Sequence, residues 1–324
     1  MQVAQQKQPL QEPSKASNPP GKMNLERIIK GCLVQPLRLI VYGPPGIGKS
    51  TFAAGSPNPI FLGAEKGTAQ LDVTRFPQPE TWQDILEAMQ VLETEAHDYK
   101  TIVLDTLDWI EPLIHQAVLI EENKGKDSAR AVSDIDSMGY GRGYNLALTQ
   151  WRKFISCLER LSDARSMNIL MLAHSQIRSF KNPEGEDYDR YEMKLHHKAG
   201  GLLQEWADEV LFANYETATH ERKGRVRGIS SGARVIHTTR TAAYDAKNRH
   251  DLPDELPLSW ADYAASAIQG APADREDILE AINELLEGAD KELISKVKAA
   301  VAAVNNDSAK LTLILNRLKT IRKE

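Results

Sequence analysis

The chain has 324 residues, 41% hydrophobic and 26% charged, enough to bury one large core with appendages, which excludes a wholly disordered polypeptide. Its 40 Lys and Arg stand against 45 Asp and Glu, a formal charge of -5, so no overall positive field draws it to nucleic acid or anionic lipid. Any polyanion site must therefore be a local patch. Two cysteines, Cys32 and Cys157, without a Cys-x-x-Cys or Cys/His cluster, argue against a disulfide framework and a zinc site. The polar start lacks an apolar signal core and no apolar run approaches a bilayer span, which predicts a cytoplasmic protein with no membrane partner.

Residues 1–22 are rich in Gln, Pro, Ser and Lys with little to bury, and a disordered tail is expected there. A core is expected over 23–255. In it, short β-rich runs alternate with helical stretches, the pattern of parallel βαβ units in an α/β fold. Strands are predicted at Leu37–Tyr42, Pro59–Gly63, Thr101–Asp105, Asn168–Ala173 and Glu209–Ala213. Trp151, Phe154, Ile155, Leu158 and Leu161 recur at steps of three and four and predict a helix covering the sheet. Further on, Gly224–Gly228 and Gly232–Tyr244 suggest a β-hairpin joined by a Ser-Gly turn. Residues 256–324 are expected to form a C-terminal helical extension. Its apolar stripes are Ile278, Ile282, Leu285 and Leu286, then Leu293, Val297 and Val301, then Leu311, Leu315 and Leu318. Gly288–Asp290 and Asn305–Asp307 supply a helix stop and two N-caps.

Gly43, Pro44, Pro45, Gly46, Ile47, Gly48, Lys49 and Ser50 match G-x-x-x-x-G-K-[ST] in full, after an apolar strand and before a predicted helix that starts Ser50-Thr51. Such a loop turns successive N–H groups toward a polyphosphate, which points to ATP. Lys49 would reach the β and γ phosphates and the Ser50 hydroxyl would face Mg²⁺. Thr101–Asp105 is an apolar strand ending in a carboxylate, which makes Asp105 the second Mg²⁺ contact. Thr106, Leu107 and Asp108 follow it, so no Glu stands directly after Asp105 and the catalytic base must come from elsewhere. The second strand runs into Glu65, where ligands gather at the carboxyl ends of parallel strands, and Glu65 is the candidate base. The fourth strand runs into His174, Ser175 and Gln176, of which His174 is the better placed to touch a γ phosphate and Gln176 the second.

Over about residues 37–240 this order of motifs resembles a RecA-type recombinase core. Ala64–Gly67 after the second strand and Asp245–Pro253 later on resemble the phage-encoded RecA-like P-loop ATPases grouped with single-strand annealing proteins and recombinases. The resemblance implies a RecA-like P-loop core with a mostly parallel sheet flanked by helices, plus a β-hairpin extension. It also implies Mg-dependent ATP hydrolysis coupled to single-stranded DNA annealing or strand pairing in bacteriophage recombination. The implied assembly is a homo-oligomer with nucleotide between subunits, meeting single-strand-binding or other replication proteins in the host cytoplasm. By motif position, Glu65 would be the catalytic carboxylate and His174 or Gln176 the γ-phosphate sensor. The chain departs from bacterial RecA in lacking its C-terminal domain pattern and in carrying His174 in place of an Asn-Gln pair.

Two polar segments leave the predicted strands and offer DNA contacts. The first, Glu121–Tyr144, carries Lys124, Lys126, Tyr140 and Arg142, the last two between glycines, as suits a flexible loop that stacks a ring on a base. The second, Arg178–Gly200, carries Arg178, Phe180 and Lys181, but its five cations and five carboxylates cancel, which equally suits a solvated hairpin. Arg178 and Lys181 could also reach a neighbour's γ phosphate. The clearest field lies in 216–250, where Arg222, Lys223, Arg225, Arg227 and four further cations face three carboxylates, a net of +5. Two other functions fit a P-loop: an ATP-switched interaction protein, and a small-molecule kinase, for which no compact Arg-rich lid is found.

Overall fold

A computed structural model of the chain describes residues 28, 35–63, 65, 67, 70–222, 225–270, 275–286 and 291–303, and for 217–231 it gives the backbone pairing alone. The compact unit spans Gln35–Glu324. The expected tail over 1–22 lies outside the described residues, as do Gly288–Asp290, Asn305–Asp307 and the last leucine stripe.

In chain order the elements are β1 (Arg38–Gly43), α1 (Lys49–Ala54), β2 (Pro59–Gly63), β3 (Thr74–Arg75), α2 (Trp82–Thr94), β4 (Thr101–Asp105), α3 (Leu107–Asn123) and α4 (Arg142–Arg165). Then follow β5 (Asn168–Phe180), β6 (Tyr188–Met193), α5 (His197–Trp206), β7 (Glu209–Arg222), β8 (Arg225–His237), β9 (Glu255–Pro257), α6 (Trp260–Gly270), α7 (Arg275–Leu286) and α8 (Lys291–Ala303). The described strands form one sheet in the order β3-β2-β4-β5-β1-β7-β8-β9, with β6 paired to β5 off that path. Pairing is parallel from β3 through β7 and antiparallel at β7–β8, β8–β9 and β5–β6. The fold is α/β with a mostly parallel central sheet flanked by helices.

Alternation along each strand explains the layers, because successive side chains leave a sheet on opposite faces. Ile40, Tyr42, Ile102, Leu104, Ile169 and Met171 face α2, α3, α4 and α5 in one core. Leu39, Val41, Val103, Leu170, Leu172 and Leu211 face the other, with Phe52 of α1 and Tyr263 of α6. The stripe Trp151, Phe154, Leu158 and Leu161 of α4 is buried against the first face. Helix α2 starts on a capping box, Thr81 and Asp84 each accepting the other's backbone N–H.

Three expectations change. The strands predicted to end at Ala173 and Ala213 run on to Phe180 and Arg222, because an antiparallel partner, β6 or β8, takes up their hydrogen bonds beyond the core. The Ser-Gly pair does not turn the hairpin. Arg222 already pairs with Arg225, and Gly232 (φ 78°) lies inside β8, where the register shifts between Tyr215 and Thr217. The segment with Tyr140 and Arg142 is not a free loop. Asp136–Met138 form a 3₁₀ turn, Arg142 opens α4, and Gly143 packs so closely that a Cβ would lie 2.4 Å from the Ile135 carbonyl oxygen. Trp260 and Tyr263 of α6, at the start of the C-terminal helices, pack edge-on against Phe52 of α1. Among the described residues no helix is long and apolar enough to cross a membrane.

Gly43 closes β1 where the sheet is tightest: a Cβ there would lie 2.2 Å from the Ala213 carbonyl oxygen of β7. Backbone cannot swing aside as a side chain can. Gly43→Ala is expected to lower stability by about 3 kcal/mol, the upper end for overpacking, read by urea denaturation. An unchanged midpoint would mean that β1 and β7 are not held at this spacing.

Candidate nucleotide-binding site

The loop between β1 and α1 is shaped by two glycines with positive φ, Gly46 at 75° and Gly48 at 113°, a region closed to most side chains. Ile47 between them is fully buried, anchoring the loop in the core while its flanks stay at the surface. Pro44 and Pro45 carry no N–H, and that of Ile47 turns back to the Pro44 carbonyl at 3.4 Å. The amides left for a phosphate are those of Gly46, Gly48, Lys49, Ser50 and Thr51. Lys49 is buried, its Nζ donating to the carbonyls of Gly43 (3.0 Å) and Pro44 (3.1 Å). Burial holds its pKa below the ordinary lysine value, against the pull of Asp105, Asp108 and Glu65.

Sheet register brings the remaining groups to this loop. Gly43 is paired with His174 across β1–β5, and Gly63 with Asp105 across β2–β4. The chain leaving β2 stays beside β4, the Glu65 N–H donating to the Asp105 carbonyl at 3.5 Å. Gly48, Lys49, Ser50, Thr51, Glu65, Asp105 and His174 thus line one cavity of about 360 Å³. Ser50 donates its hydroxyl to Asp105 Oδ2 at 2.7 Å. Burial pushes the Asp105 carboxyl up, and the Ser50 hydrogen bond opposes this only in part. A hydroxyl and a carboxylate at this separation are hard oxygen donors, and Mg²⁺ characteristically takes only one or two protein ligands beside phosphate and water. The residues fit that ion, which Ser50 and Asp105 would hold, supplying positive charge for a polyphosphate.

His174 is clamped by a residue that sequence reasoning passed over. Asp108, at the start of α3, accepts the His174 backbone N–H at 2.9 Å and its ring Nδ1 at 2.8 Å. With Nδ1 donating, Nε2 is left free toward the cavity, 3.9 Å from Glu65 Oε2. Burial works against the Asp108 charge, yet the two His174 hydrogen bonds hold its carboxyl below the usual range. Its position three residues after Asp105 was the only signal in the sequence. The second missed residue is Arg234, which also lines the cavity from β8.

Gln176 is not brought to this cavity. It lies two residues, about 6.6 Å, further along β5, and its amide donates to the Met193 carbonyl at 3.0 Å. There it lines a second cavity of about 310 Å³ with Asp108, Glu111, Arg178, Lys194 and His196. Glu111 accepts the His196 N–H, and burial pushes its carboxyl up to about 7. His196 stacks on Tyr144 with centroids 3.9 Å apart, and burial followed by its cationic neighbours lowers it to about 4.

The proposed DNA contacts divide. Lys126 and Arg142 both pair with Glu122, at 2.7 and 2.8 Å, and hold its carboxyl down to about 2, with Arg142 the stronger influence. Lys124 stays exposed beside Glu121, and Tyr140 is fully exposed with φ 48°. Lys181 is paired with Asp187, Phe180 packs on Tyr188 under Arg190, and Arg178 reaches the Leu195 carbonyl, so Arg178, Phe180 and Lys181 all have partners within the fold. Of the cations in 216–250, Arg240 pairs with Asp245, Arg249 with Asp208, and Lys247 donates to the carbonyls that end α5. Arg222, Arg225 and Arg227 sit at paired positions near the end of β7–β8, and Lys223 lies outside the described residues.

The sequence model of an AAA domain family (AAA_24) matches residues 35–250, from just before β1 to just after the hairpin. The chain belongs to this AAA domain family. The match contains every residue that lines the P-loop cavity, and membership of the family implies nucleotide binding. One solved structure similar to the chain is the RadB recombinase, at 12% identity and a TM-score of 0.34, covering 63% of this chain and 80% of that one. A likeness that distant carries no argument about activity. No curated protein matches the chain.

The raised Glu111 carboxyl has a measurable consequence. In the folded chain it keeps its proton up to about pH 7, whereas unfolded it ionises near 4.5, so its contribution to stability is present below pH 4.5 and lost as pH rises toward 7. Glu111→Gln is expected to remove that part of the decline, read as the difference in thermal midpoint between variant and parent across this range. A constant difference would show that Glu111 ionises normally in the fold.

Proposed function

We propose that the protein is a Mg-dependent ATPase whose turnover is coupled to single-stranded DNA, acting as an oligomer in annealing or strand pairing. The observation that carries the reading is the convergence of Lys49, the Ser50–Asp105 pair, Glu65 and the Asp108-held His174 on one cavity. A phosphate chain seated on the loop amides draws Lys49 off the two carbonyls that now occupy it. Glu65, partly exposed at the cavity wall, takes a proton from an attacking water. His174 offers Nε2 to the terminal phosphate, and Asp108 fixes the ring so that the contact is made in one orientation. Asp108 also lines the second cavity, where Gln176 and Arg178 reside, which gives the terminal phosphate a physical route to the β5–β6 hairpin.

The DNA part of the proposal rests on the end of β7–β8. Arg222 is paired with Arg225 directly across the strands, and Arg227 stands two residues further along β8. Like charges at opposed positions destabilise a hairpin unless an anion joins them. A phosphodiester backbone supplies that anion. Among the described residues, the other cations of 216–250 pair within the fold or line the P-loop cavity, which leaves this end as the favoured contact.

ATP hydrolysis measured with and without single-stranded DNA across a salt series, beside Lys49→Ala as the blank, tests the proposal. Stimulation that fades with salt is expected, and hydrolysis indifferent to DNA would overturn the coupling and favour an ATP-switched interaction. Glu65→Gln should cut kcat by about 100-fold or more, the ordinary worth of a general base, with ATP still bound. Replacing Arg222, Arg225 and Arg227 with Ala should flatten the slope of log affinity against log salt by roughly 2, at about 0.7 per phosphate contact on a single strand.

A further inference from the structure

Arg234 stands apart from the other cations of its segment. It lies on β8 opposite Tyr215, at the edge of an irregularity: the next pair is Thr217 with Ser230, so β7 spends one residue where β8 spends three. Gly232, with φ 78°, takes the positive-φ position in that bulge. A bulge bends its strand and re-aims the side chain beside it. Here the side chain so aimed is Arg234, whose guanidinium reaches the P-loop. Its Nη1 lies 3.1 Å from where a Cβ on Gly48 would stand. The backbone beneath is held on both sides, the Arg234 carbonyl accepting the Leu258 N–H at 2.9 Å and the next two residues, Val235 and Ile236, being buried and paired with β9.

No carboxylate among the described residues pairs with this guanidinium. It lines the same cavity as Lys49, whose ammonium is turned to carbonyl oxygens. Two cations beside a loop of outward-facing amides is an arrangement that a polyanion completes. A guanidinium adds what the lysine lacks, a planar fork that grips two oxygens of a phosphate at once. Gly48 is then required twice. Its φ of 113° suits glycine, and its missing side chain is the space the guanidinium approaches.

We infer that Arg234 is a phosphate ligand supplied in cis, so that one chain completes its own polyphosphate site without a cation from a neighbour. The inference rests on the nucleotide reading of the P-loop cavity and is independent of DNA. Because β8 also carries Arg225 and Arg227, a phosphate that grips Arg234 holds the strand on which the hairpin cations stand.

Binding of mant-ATP and mant-AMP to the full chain, to Arg234→Ala and to Arg234→Lys tests this directly. Loss of one charge-assisted contact is expected to weaken mant-ATP about tenfold in Arg234→Ala, with mant-AMP changed less than about twofold because it lacks the outer phosphates. Arg234→Lys should fall between, having the charge without the fork. An equal loss for both nucleotides, or none, would overturn the inference, and a thermal midpoint matching the parent shows that a loss is not unfolding. Mixing Arg234→Ala chains with Lys49→Ala chains separates cis from trans. Recovered hydrolysis would mean that the arginine is lent to a neighbour and would overturn the cis assignment, while no recovery supports it. Failure of the unaltered chain to bind mant-ATP would overturn the nucleotide reading itself, a result distinct from every one above.

Discussion

Everything at the candidate site depends on the parallel register of four strands, β2, β4, β5 and β1. Backbone hydrogen bonds between them put Gly63 level with Asp105 and Gly43 level with His174, so residues more than a hundred positions apart arrive at one edge. The register is held from both faces because every strand is apolar on both sides, and a slip of one residue would exchange the two faces of every strand. The pairing of β1 with β7 tightens this further. At Gly43 the neighbouring backbone leaves no room for a Cβ, so the first glycine of the loop is as much a sheet residue as a phosphate-loop residue.

Several of the charged side chains hold the fold together. Arg38 and Arg249 share Asp208 at the start of β7, and the wholly buried Glu209 beside it is held by Tyr263 and His250, each at 2.5 Å. That cluster ties β1, the 245–253 segment and α6 to the end of the sheet opposite the P-loop. Arg190, also buried, answers Asp245. A local excess of positive charge in the sequence is therefore a poor guide to a binding surface until its partners are counted. In the 216–250 segment the counting moves Arg240, Lys247 and Arg249 into the structure and Arg234 to the nucleotide cavity.

The two halves of the P-loop cavity are of different kinds. Its floor, from Lys49 to Asp105, is set by local chain geometry and one strand pairing. Its rim, from Asp108 and His174 to Arg234, is assembled from α3, β5 and β8, elements with no common local pattern. The rim is where the site meets the rest of the molecule: Asp108, which holds His174, lines the second cavity, and β8 continues into the hairpin. A terminal phosphate would therefore be felt by two extensions of the sheet, through a hydrogen-bonded carboxylate in one direction and a continuous strand in the other.

Sequence alone determined the α/β class, the five parallel strands and the P-loop, because each is written in contiguous residues: apolar runs, a helical stripe through Trp151 to Leu161, and the glycine spacing from Gly43 to Ser50. It also placed Asp105 and Glu65, since strand order in a parallel sheet carries strand ends to one edge. What only tertiary structure decided is which of two residues on one strand, His174 or Gln176, enters the cavity, that Asp108 holds the one that does, and that Arg234 joins it. The choice turns on a 6.6 Å step, roughly two residues of strand, and on a bulge whose shift is defined only by the partner strand. Likewise, Lys126 and Arg142 look free until the fold brings Glu122 between them. Contacts of that sort depend on distance in space, which a linear pattern of residue types does not encode.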